Sequence, residues 1–123
     1  MTLILVAIGG AFGALSRYGL ERILSAIVEP TFWTTMVINA SGSLVLGVFI
    51  SLSDSKFEPS SNLRLLIAVG FLASYTTFST LTVTSVKQFI EGDITHALIN
   101  IIASLAVGLC AALLGLLIGR SIL

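Results

Sequence analysis

A chain of 123 residues that is 56% hydrophobic and 10% charged, with a mean hydropathy of +1.10, is not built to be surrounded by water; an ordinary soluble domain carries roughly 25% charged residues. Six basic and six acidic side chains give zero formal net charge without a basic run, so neither nucleic acid nor an anionic membrane surface is an implied partner. The single cysteine, Cys110, lies within an apolar stretch, permits no intrachain disulfide and says nothing about redox compartment.

The charged residues divide the chain into four long uncharged stretches, residues 1–16, 30–53, 65–86 and 94–119. A helix needs about 20 mostly apolar residues to cross roughly 30 Å of hydrocarbon. The last three stretches suffice unaided. The first reaches that length by continuing through Arg17, Glu21 and Arg22 to about Ile27, since long charged side chains near a helix end extend to the headgroups. A signal peptide is the competing reading of this stretch, but no basic segment precedes the apolar run. Lipid-facing backbone must bond internally, so the pattern predicts an all-α membrane protein. It is a single four-helix transmembrane domain, with spans over about 2–27, 31–53, 65–86 and 94–120. The connections are a polar corner at Glu29 and Pro30, a loop from Asp54 to Arg64 and a turn at Glu91-Gly92-Asp93, too short to hold a soluble domain.

In the first span Gly9 and Gly13 form a GxxxG pair that lets helices approach closely, and Ala111, Gly115 and Gly119 repeat the spacing in the fourth. Asn39 stands near the middle of the second span with no charge nearby. An unpaired amide in hydrocarbon costs several kcal/mol, so it must meet a partner helix, a backbone group or a wet pore. The third span holds eight Ser or Thr in the twelve residues from Ser74 to Ser85. Hydroxyls that bond back to carbonyls bend helices, and so many together predict a break at mid-membrane. Irregular backbone at that depth must be buried in protein or line a cavity, where freed carbonyls can hold a cation. Asn100, Ser104, Gly108 and Ala112 fall on one face of the fourth span, and His96 at its start is interfacial rather than a metal ligand. No nucleophile with a base, carboxylate pair or phosphate-cradling loop is present, so the protein is not expected to be an enzyme.

An even number of spans puts Lys56, Arg64 and Arg120 on one side of the membrane and Arg17, Arg22 and Lys87 on the other, three against three. Orientation follows the Lys and Arg excess, and here there is none. Either a single orientation wins by other details, or the chain inserts both ways and builds an antiparallel, dual-topology dimer.

The ordered set Gly9-Gly10-x-x-Gly13-Ala14-x-x-Arg17-Tyr18, Asn39 with Gly42, and Gly70-Phe71 followed by Thr76-Thr77-Phe78-Ser79-Thr80 resembles the Fluc fluoride channels, also called CrcB-like proteins, over essentially the whole chain. The resemblance implies a dual-topology dimer with two antiparallel pores in the cell's inner (plasma) membrane, exporting fluoride passively to relieve its toxicity. It also implies a structural sodium ion at the dimer centre, held by backbone carbonyls that map to Ala73 and Thr76. Arg17 becomes a structural or vestibule residue. For the pore it implies Asn39, Phe78 with the adjoining Ser79 and Thr80, and a polar track through Asn100 and Ser104.

The family's second pore phenylalanine is Leu81 here, and Gly108 and Ala112 stand where hydroxyls are expected. In the family each pore draws the asparagine and first phenylalanine from one subunit and the second phenylalanine and polar track from the other. Two arrangements follow: a homodimer with a tolerant pore, or a heterodimer in which a related subunit supplies the missing half. Two other classes compete. A small drug or cation exporter needs a carboxylate embedded in the membrane, and the first acid, Glu21, sits near a helix end. A non-transporting membrane assembly subunit has no need of Asn39 or of a hydroxyl-rich third span.

Overall fold

The computed structural model describes residues 1–28, 32–54 and 59–122. The expected corner at Glu29 and Pro30 and the middle of the Asp54 to Arg64 loop lie outside the described residues. Helix α1 is Thr2–Ser25, α2 is Phe32–Ser53 and α5 is Ile94–Ser121. The third span consists of α3, residues 61–75, and α4, Phe78–Ile90. Among the described residues four helical segments, α1, α2, Ser61–Ile90 and α5, are long and apolar enough to cross a membrane. The third extends four residues beyond the 65–86 stretch at either end. Its extra first turn is capped by Ser60, whose hydroxyl accepts the Leu63 N–H at 3.3 Å.

Polarity is distributed inside out. Among the described residues five hydrophobic ones are buried, Ile38 and Phe32 among them, against seven polar ones, including Thr34, Ser85, Asn100 and Ser104. Large aliphatic side chains such as Leu3, Leu109 and Ile122 are exposed. The helices are therefore held by close backbone approach and interhelical hydrogen bonds, with the apolar surface left to lipid.

Two helix pairs make the bundle, α2 along α5 and α1 along α3. A Cβ at Gly13 would strike the Phe71 carbonyl, and one at Gly115 the Leu44 carbonyl. Gly108, by contrast, has open space where a Cβ would stand. Gly115→Val should therefore force α2 and α5 apart and cost about 1–3 kcal/mol of overpacking, whereas Gly108→Val should leave the melting temperature in detergent nearly unchanged. Equal effects would mean that the crossing is set elsewhere.

Most of α3, Leu65–Leu72, is wound as a π-helix, and the Ala73 N–H bonds to the Ala68 carbonyl five residues back. Such segments are rare and occur mostly at functional sites. At the far end of α2, the Arg64 guanidinium donates to the Ser53 carbonyl at 3.0 Å, a cation satisfying the last helical turn.

Helix α5 is capped by Asp93, which accepts the His96 N–H at 3.3 Å and meets His96 Nδ1 at 2.8 Å. The bond with the His96 ring, then that with its N–H, holds the Asp93 carboxyl below the usual carboxylate range. A carboxyl depressed on folding contributes stability above its unfolded value, and that contribution is lost as pH falls through the folded value. Asp93→Ala should lower the melting temperature by a few degrees near neutrality. The gap from the unmodified chain should close in acid, and a gap independent of pH would assign the effect to something other than the ionised cap.

Candidate functional site

The helical ladder of the third span stops at Thr76, whose N–H makes its last bond to the Leu72 carbonyl at 3.2 Å. Thr76 (φ −82°, ψ 160°) and Thr77 (φ −147°, ψ 119°) are extended, and the helix resumes at Phe78. Here Asn39 supplies what the ladder loses. Its Oδ1 accepts the Thr77 N–H at 2.8 Å, and its Nδ2 donates to the Thr77 carbonyl at 2.9 Å. One primary amide thus satisfies both backbone groups of one residue, and one of its two amide hydrogens remains for another acceptor.

The exchange frees carbonyls. In an unbroken helix the Thr77 N–H would bond to the Ala73 carbonyl, and the Thr80 N–H to that of Thr76. The first goes to Asn39 instead, and the second to the Thr77 hydroxyl at 3.2 Å, which caps α4. Two further contacts brace this turn. Arg17 Nε donates to the Ser74 carbonyl at 3.3 Å, and the Tyr75 hydroxyl meets Ser41 Oγ at 2.9 Å, which itself donates to the Ile38 carbonyl.

An open groove of about 400 Å³ lies against the interruption. Asn39, Ala73, Thr76, Phe78, Leu81 and Ser104 all line it, with Gly108 and Ala112 also on the α5 wall. Phe78 is 71% exposed, a large ring left uncovered by its own chain, while Leu81 is buried and also borders an apolar cavity of about 320 Å³ between α4 and α5.

The remaining expected pore residues go elsewhere. Thr80 lines a separate cleft with Arg22 and Thr34. Ser79 is exposed, its hydroxyl 3.2 Å from that of Thr77. Asn100 is 1% exposed and faces α4, where its Nδ2 donates to Ser85 Oγ at 2.8 Å; Ser85 in turn donates to the Leu81 carbonyl at 2.8 Å. Ser104 Oγ reaches Asn100 Oδ1 at 3.4 Å. In this chain Asn100 is thus a buried tie between α4 and α5, while Ser104 touches both that tie and the groove. Thr77, present in the family motif, and Ser85 are the residues to which the sequence assigned no role in the site. Each lies within the hydroxyl run, where nothing in the residue type separates a backbone clamp from a passive neighbour.

The chain matches the family described as CrcB-like protein, Camphor Resistance (CrcB), over residues 4–116. A relative from Rhizobium etli is 38% identical over 120 residues, covering 97% of this chain and 96% of its own length. One from Methylobacterium radiotolerans is 35% identical over 116 residues, covering 93% and 81% respectively. A third, from Dehalococcoides mccartyi, is 34% identical over 118 residues, covering 95% and 91%. All three bear the name fluoride-specific ion channel FluC. With nearly its full length aligned to these relatives and to the family profile, the chain belongs to the CrcB-like family.

Proposed function

We propose that this chain is a pore-forming subunit of a fluoride-selective channel that exports fluoride passively across the plasma membrane. The observation that carries the reading is the Asn39 clamp on Thr77, which holds open a non-helical turn beside a groove that an uncovered phenylalanine also lines. Fluoride gives up its water only to strong, directed donors. The unspent Asn39 amide hydrogen is such a donor, fixed before the ion arrives by the two bonds to Thr77, and the electropositive rim of Phe78 adds a weaker attraction.

Passive conduction is sufficient for the task. Fluoride enters acidified cells as neutral HF and dissociates inside. The membrane potential then supplies about 2.3 kcal/mol per elementary charge for each 100 mV, roughly a 50-fold gradient. No proton-exchanging carboxylate is required, and Glu21, the first acid, lies in the last turns of α1.

The third span is a helix broken within the membrane, and two antiparallel copies of the subunit pack about it, in keeping with the balanced positive charges. The Ala73 and Thr76 carbonyls, released from the helical ladder, are hard oxygen donors suited to a sodium ion. Bound there, sodium would supply a fixed positive charge that satisfies these carbonyl dipoles and would help hold the two copies together.

Leu81 and Gly108 favour one variant of this function. The groove here has no ring at the former position and no hydroxyl at the latter, so a related partner subunit would contribute both, leaving one working pore per heterodimer. A non-transporting assembly subunit is the alternative function, and it leaves the Asn39 clamp without a purpose. Cells stripped of their own fluoride exporter and expressing this chain, with its related partner where a relative is encoded beside it, should grow in acidified fluoride medium that arrests controls. Cells expressing Asn39→Leu should not, and equal arrest of both would remove the reading.

A further inference from the structure

The third span enters its interruption through Tyr75, and the grip on that residue is separate from the Asn39 clamp. Tyr75 Oη stands 2.9 Å from Ser41 Oγ, and Ser41 Oγ donates to the Ile38 carbonyl at 2.9 Å. A hydroxyl has one hydrogen to give, so Tyr75 is the donor of the first bond. Its ring is held as well, stacked on Phe71 with centroids 6.0 Å apart and planes 7° from parallel.

Successive residues of the turn meet different residues of α2. Tyr75 bonds to Ser41 and Thr77 to Asn39, while a Cβ on Gly42 would strike the Thr76 methyl group and stand 3.2 Å from the Tyr75 ring. At 3.6 residues per turn, Gly42 falls between Asn39 and Ser41 around the helix axis. The turn is therefore laid across one face of α2 and pinned on both sides of Thr76. Of its carbonyls, that of Ser74 is taken by Arg17 and that of Thr77 by Asn39, whereas the break releases those of Ala73 and Thr76. Tyr75 stands between these two in sequence, so a bond that fixes its position also fixes their spacing.

We infer that Tyr75 is a positioning residue for the sodium site, its hydroxyl bond to Ser41 holding the Ala73 and Thr76 carbonyls where one small cation meets both. The inference rests on the sodium reading above and gives Tyr75 no contact with the ion. Without the bond the same oxygens remain, but only a fraction of molecules holds them in place, and apparent affinity falls by that fraction.

The test is the melting temperature of the purified full-length chain in detergent, with a related subunit where one is encoded beside it, titrated with sodium gluconate against N-methylglucamine gluconate at constant ionic strength. The unmodified protein should melt progressively higher as sodium rises. Tyr75→Phe keeps the ring and its stack on Phe71 and removes the hydroxyl; it should need roughly tenfold more sodium for the same shift, the scale of one hydrogen bond. Ser41→Ala removes the acceptor and should match it, and the double variant should be no worse than either alone. A bond that only stabilises the fold would lower the melting temperature equally at every sodium concentration and leave the sodium dependence unchanged. That result would overturn the role of Tyr75 and leave the sodium site standing, whereas no sodium shift in the unmodified protein would overturn both.

Discussion

Asn39→Leu is expected to cut fluoride flux at least 100-fold and to destabilise the protein by about 2–5 kcal/mol. The two effects have separate origins. Leucine fills the volume of the amide but leaves the half-buried Thr77 N–H and carbonyl, which Asn39 holds at 2.8 and 2.9 Å, without their partner. Each stranded group costs about 1–3 kcal/mol. Removing a preorganised donor from the path of an anion costs a further factor of about 100–1,000 in rate, by analogy with the loss of one oxyanion-hole donor. Efflux assays and thermal melts on the same preparation separate the terms. A variant that melts normally but conducts nothing would keep Asn39 in the pore and remove it from the backbone. One that conducts normally would remove it from the pore.

Leu81→Phe is expected to act in the opposite direction, raising fluoride flux through this chain alone by roughly tenfold or more, an electrostatic gain of about 1.4 kcal/mol. Leucine has no electropositive rim, whereas a benzyl ring has one. Room exists for the larger side chain, because Leu81 borders both the groove of about 400 Å³ and the apolar cavity of about 320 Å³. Gly108→Ser adds a hydroxyl to the same groove where nothing stands within 4 Å of its Cβ, and the two changes should reinforce one another. Flux in the unmodified chain equal to that of Leu81→Phe would remove the reason for a second, complementary subunit.

The membrane architecture was legible because hydrocarbon thickness imposes a length on apolar runs that no local preference overrides. The ends of the third span were not, since the turn Ser61–Arg64 starts the helix ahead of the apolar run at Leu65 and leaves no trace in hydropathy. Asn39 was legible as a polar group that must find a partner, because its cost in hydrocarbon is large. That partner was hidden among eight hydroxyl residues, any of which could have received it, and it proves to be backbone rather than side chain.

Helical spacing placed Asn100 and Ser104 together, and they do adjoin, yet periodicity gives only the angle about the helix axis. It could not tell that Asn100 turns to Ser85 on α4 while Ser104 also reaches the groove. The π-helical winding at Leu65–Leu72 had no sequence signal, for its residues are ordinary apolar ones. The bond between Tyr75 and Ser41 escaped for another reason: its partners come from two helices, and only the packing brings them together.

The most direct test of the channel is ion efflux from liposomes that contain only this chain, with sodium on both sides, a fluoride electrode outside and chloride as the control anion. Rapid fluoride release with chloride retained is the predicted result, appearing with the chain alone or on adding a related partner subunit. Release of both anions together, or of neither with or without a partner, would contradict it.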